Sequence, residues 1–98
     1  MNKNELLIEF YTKVAELQKD IYYLKLNVSK RALKTQEIRL TASQIEQEFY
    51  SVFSKVKKYL SEDKQNAVDI RILRKEIEFY KYYIPTKKHN LEELENCL

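Results

Sequence analysis

The run Leu7-Ile8-Glu9-Phe10-Tyr11-Thr12-Lys13-Val14-Ala15-Glu16-Leu17-Gln18-Lys19-Asp20-Ile21-Tyr22-Tyr23-Leu24 decides the fold class. Leu7, Phe10, Val14, Leu17, Ile21 and Leu24 recur at alternating spacings of three and four, so they line one stripe of an α-helix. Setting every multiple of seven as heptad position a carries this pattern through the chain. The a series continues with Val28, Ala42, Phe49, Val56, Ile70, Ile77, Ile84 and Leu91, and the d series with Ile38, Ile45, Val52, Leu73, Tyr80 and Leu94. Apolar residues fill about four fifths of all a and d positions, although only 44% of the chain is hydrophobic. Sustained spacing of this kind belongs to helices packed knobs into holes. No segment alternates with period two, so an all-α protein with coiled-coil or helical-bundle packing is expected, and no sheet.

The failures of the pattern cluster. Arg31 and Thr35 are consecutive core positions, as are Asp63 and Asn66, and Lys87 follows Pro85. Such positions are either turns or polar layers inside long helices. Thr41 with Gln44 and Ser43 with Glu46 each fit a capping box, which places a turn at 40–43. Leu26, Leu33 and Leu40 form a second stripe at spacing seven, as if the first helix ran on to Arg39. Pro85 is expected to end the next helix, and Asn90 with Glu93 to cap a short C-terminal helix over Leu91, Leu94 and Leu98. The expected architecture is a long antiparallel hairpin of helices at about 4–39 and 43–84, on the order of 55 and 60 Å long, plus that short helix. The alternative is a three-helix bundle with a break at 61–66, where Ser61 with Glu62 and Asp63 fits a helix start. Either way, residues 1–98 read as a single helical domain.

Composition narrows the function. With no glycine and one proline in 98 residues, Gly-rich phosphate loops are excluded. Net charge is a mild +3. Cys97 is the only cysteine, which fits a cytoplasmic or other reducing intracellular compartment. No apolar run is long enough for a bilayer or a secretory signal, so no membrane partner is expected. His89 and Cys97 both lie in the last ten residues, where no rigid frame is evident. No catalytic site, metal, cofactor or small-molecule substrate is therefore expected, and the chain reads as a non-enzyme. Glu92, Glu93 and Glu95 with His89 match no closed zinc set.

Two surfaces remain. Residues 25–39 carry Lys25, Lys30, Arg31, Lys34 and Arg39 against Glu37 alone, and bases in line on a helix can track a phosphate backbone. Arg31 has a second reading, as a buried layer paired with Glu48 across the hairpin. The stretch from Phe79 to His89 interleaves aromatics with bases, suiting either a protein hot spot or base stacking. Its plain alternative puts Tyr80, Tyr83 and Ile84 in the core and leaves only Tyr82 outside. Apolar residues beyond the a/d seam imply more than one packing face, hence a homo-oligomer or a larger protein partner.

The segments Leu40-Thr41-Ala42-Ser43-Gln44-Ile45 and Leu73-Arg74-Lys75 resemble the helical small subunits of CRISPR effector complexes. That resemblance covers these short segments only, and no binding residue is carried over from it. The expected function is a non-enzymatic helical interaction module: an oligomeric adaptor, regulator or accessory subunit, from a source such as a virus, phage or mobile element. Tyr22, Tyr23, Leu26, Leu33, Phe79 and Tyr82 are its expected partner contacts. The alternative is a nucleic-acid-associated small subunit using Lys25, Lys30, Arg31, Lys34 and Arg39.

Overall fold

The computed structural model describes residues 2–97, with side chains through residue 95. Expectations that fall on the Cys97 side chain and on Leu98 lie outside the described residues. The chain is all-α: α1 (Lys3–Ser29), α2 (Thr35–Val56), a single 3₁₀ turn (Lys57–Tyr59), α3 (Glu62–Gln65), α4 (Val68–Glu78), a π turn (Phe79–Tyr83) and α5 (Ile84–Cys97). The two longest helices, α1 and α2, pack on each other antiparallel. Phe10 near the start of α1 meets Phe49 and Phe53 near the end of α2. From α4 to α5 the chain forms one continuous third rod running back along α2. Arg74 lies 6.0 Å from the Tyr50 and Phe53 rings, Lys81 reaches Glu46, and Lys88 reaches Leu33.

The core follows the heptad register. Apart from Phe53, Leu60 and Pro85, every buried apolar residue occupies an a or d position, from Phe10 through Tyr80. No charged or polar residue is buried among the described residues. Four of the five polar a/d positions, Arg31, Thr35, Asp63 and Asn66, mark the breaks between rods; the fifth, Lys87, is exposed within the third rod.

The first break lies at 30–34, not at 40–43. Ala32 N–H donates to the Asn27 carbonyl at 2.9 Å and Arg31 N–H to the Val28 carbonyl at 3.0 Å, which closes α1 with a Schellman cap. That cap needs a left-handed residue, and Arg31 supplies it at φ 56°. Arg31 is exposed and so cannot be a buried layer with Glu48, which is exposed as well. Leu33 leaves the helix and packs against the core from the turn. At the start of α2, the Glu37 carboxylate accepts from Lys34 N–H at 3.2 Å. Thr41 and Ser43 therefore lie inside α2, where the helix satisfies the amides that a capping box would have served.

The second break divides the expected 43–84 helix, as in the three-helix alternative, but it is longer than 61–66. Leu60 is buried as its anchor. Ser61 Oγ accepts from Lys64 N–H at 3.3 Å, and the Gln65 amide donates to the carbonyls of Lys57 and Leu60. Asp63 and Asn66 are exposed here.

Pro85 does not end the third rod. It has no N–H to donate, and the chain accommodates this by widening one turn. The Ile84 N–H reaches back five residues to the Phe79 carbonyl, after which α5 continues. Asn90 is therefore mid-helix rather than a cap. Lys88 donates to the Leu33 carbonyl at 2.8 Å, so the rod draws level with the 30–34 turn there. Its remaining residues run on for roughly 14 Å beyond the hairpin at ~1.5 Å per residue. The long dimension of the molecule is 59 Å.

Candidate interaction surfaces

The π turn builds the first surface. Tyr80 points inward and is 6% exposed, while Phe79, Tyr82 and Tyr83 are 41%, 58% and 51% exposed. The Phe79 and Tyr83 rings stack at 5.0 Å and 20°. With Tyr82 and Thr86 they line a shallow apolar groove edged by Lys75, Lys87 and Glu78. The Lys87 ammonium lies 5.6 Å from the Tyr83 ring and that of Lys81 5.1 Å from Tyr82. On the inner side, Lys81 Nζ donates to Glu46 Oε1 at 2.6 Å, tying the π turn to α2. That hydrogen bond is the main cause of the raised pKa of Lys81, with a smaller push from the neighbouring Tyr82. Burial pushes the Tyr80 phenol up, with a smaller push from the charge of Glu76.

Of the six expected partner contacts, Phe79 and Tyr82 fall on this surface. Tyr22 and Tyr23 are exposed on α1, edge to face at 6.0 Å, with no ring contact to the Phe79 group. Leu26 is half-buried, and Leu33 is half-buried against the core. Tyr83, which the plain alternative placed in the core, lies on this surface as well. Its place beside Phe79, four residues before it, was the available signal. Val68 and Ile72 were also overlooked; both are exposed at a groove between α1 and α4 that Ile21 and Leu73 floor.

The second surface surrounds the 30–34 turn. Lys25, Lys30, Arg31, Lys34 and Arg39 are all exposed. Among the described residues none of the five forms an ion pair, unlike Lys13, Lys55 and Lys81. The third rod brings acids to the same end. Lys34, Arg39, Lys88, His89 and Glu92 border one shallow groove, and Arg31, Leu33, Lys87, Leu91 and Glu95 border its neighbour. His89 Nε2 lies 3.0 Å from Glu93 Oε1, with both side chains exposed.

Among the described residues, no three of His, Cys, Asp and Glu gather as a metal site, and no helix is long and apolar enough to cross a membrane. No protein-family model matches the chain, and no curated protein or solved structure shows significant similarity to it.

Proposed function

We propose that the chain is a non-enzymatic helical interaction module, an adaptor or accessory subunit that docks an acidic amphipathic segment of a protein partner. One observation carries this reading: the stacked Phe79–Tyr83 pair and Tyr82 stay at the surface, in a groove whose edges hold two lysines and one glutamate. Exposed aromatic side chains at the centre of an apolar patch are the usual anchors of an interface, and Tyr is enriched there. Lys75 and Lys87 select for acids beside the partner's apolar anchors.

The test uses a labelled helical peptide with leucines at i, i+4 and i+7 and glutamates beside them, and a matched peptide with lysines. The glutamate peptide is expected to bind, and Phe79→Ala with Tyr82→Ala to weaken it at least tenfold, about 1.4 kcal/mol or more. No binding at millimolar peptide, or equal binding of both peptides, defeats the reading.

A second reading keeps the basic turn as a phosphate-backbone contact, favoured by the absence of ion pairs at Lys25, Lys30, Arg31, Lys34 and Arg39. It requires retention of DNA or RNA at low salt that weakens steeply as salt rises. Lys30→Glu with Lys34→Glu should abolish that retention.

A further inference from the structure

The third rod runs on past the 30–34 turn, and its end carries two leucines off the core seam. Ile84 still packs against the core, but after the wide turn the inward positions are those of Pro85 and Lys88, and Leu91 and Leu94 are 56% and 59% exposed, Leu91 at the edge of the groove beside Leu33. Leucines that stay exposed together on one helix face mark a face that lacks a neighbour. The same overhang carries Glu92, Glu93 and Glu95. The hairpin end beside it carries Lys30, Arg31, Lys34 and Arg39, with Glu37 the one acid among them. Acid and base thus share one pole of the molecule. Within a copy they do not pair: among the described residues no carboxylate of the overhang is within ion-pair distance of the basic turn, and Glu93 instead faces His89. Lys88, the overhang's own lysine nearest the turn, is engaged by the Leu33 carbonyl.

We propose that this pole is a cohesive end that joins two copies of the chain about a twofold axis. Inverting a second copy over the first lays the two overhangs antiparallel. Leu91 and Leu94 of each then pack against those of the other, filling the space above each hairpin. Each acidic overhang reaches the basic turn of the opposite copy. A twofold contact is self-complementary only when one patch holds both halves of the match, and this pole holds both. The groove at Phe79 does not: antiparallel pairing about its centre would set Lys75 against Lys87. This inference goes beyond the docking reading and stands without it.

The test is charge reversal in trans, read by sedimentation velocity with the full chain from roughly 10 to 500 µM, the range in which a small interface associates. The wild-type chain should approach twice the 11.9 kDa monomer mass. The variant with Glu92→Lys, Glu93→Lys and Glu95→Lys should be monomeric, as should the variant with Lys30→Glu, Lys34→Glu and Arg39→Glu. An equimolar mixture of the two should dimerise, because every reversed acid then meets a reversed base. Leu91→Asp with Leu94→Asp should also give a monomer, with the helical circular dichroism signal unchanged. Phe79→Ala with Tyr82→Ala should leave the dimer intact, which separates this test from that of the docking groove. A wild-type monomer across the whole range overturns the proposal. So does a dimer indifferent to both reversals, or a mixture that stays monomeric.

Discussion

The molecule contains two aromatic stacks of the same local design. Phe49 and Phe53 stack at 5.2 Å and 17°, four residues apart on α2. Phe79 and Tyr83 stack at 5.0 Å and 20°, also four residues apart. Helical spacing makes both pairs, since side chains at i and i+4 are neighbours on any helix. Their surroundings are opposite. Phe49 occupies an a position and Phe53 lies beside it under Phe10, so both are buried. Phe79 and Tyr83 precede the inward positions held by Tyr80 and Ile84, so both face out. Adjacent aromatic residues therefore say that rings will touch, and heptad register says whether water touches them too.

The largest expected effect breaks the buried stack. Phe10→Ala removes the ring against which both Phe49 and Phe53 rest, and should cost about 3–5 kcal/mol in urea denaturation. A loss below about 1 kcal/mol would mean that the two stacks are not so differently placed. Phe79→Ala with Tyr83→Ala is the matching change outside. It should shift stability by no more than about 1 kcal/mol while weakening the acidic peptide at least tenfold. A comparable destabilisation from both changes would erase the contrast.

Arg31→Gly separates backbone strain from ring burial. It relieves a left-handed residue without removing any buried side chain, and should raise stability by about 0.5–1 kcal/mol in the same denaturation assay. The smallest effect concerns Tyr80 and is read by alkaline absorbance titration. Tyr80 should ionise later than a free tyrosine, because burial favours the neutral phenol. The sign follows from linkage. The unfolded chain sheds this proton first as pH climbs past about 10, so the stabilisation is complete below that and is lost as pH rises through the folded value. Tyr80→Phe should remove the late phase.

Most of the fold was written in the a and d positions, because burial at the interface between rods is what those positions record. The breaks were written there too, at Arg31 and Thr35 and at Asp63 and Asn66. The first was misplaced because hydroxyl-led capping boxes at Thr41 and Ser43 outweighed it. The signal usually sought for such a stop is a glycine, and this chain has none; a backbone cap at Arg31 leaves no trace in residue type. Pro85 misled in the opposite sense. A proline stops a helix of regular pitch, but one wide turn removes the conflict, and nothing in Phe79-Tyr80-Lys81-Tyr82-Tyr83 announces that pitch. The candidate surface was half legible. Phe79 and Tyr82 could be read as exposed from register, whereas Leu33 depended on a helix that had already ended.

The wide turn before Pro85 also behaves as one surplus codon. Deleting Tyr82 from the gene would take out the residue that the wide turn absorbs, so a rod closed to ordinary pitch would keep its downstream faces where they are. Lys88 would still meet the bend between α1 and α2, and the cost would fall on Pro85, set back into a regular helix. Single-codon loss in a regular helix turns everything beyond it by about 100°, but here the far end of the molecule would keep looking the same way.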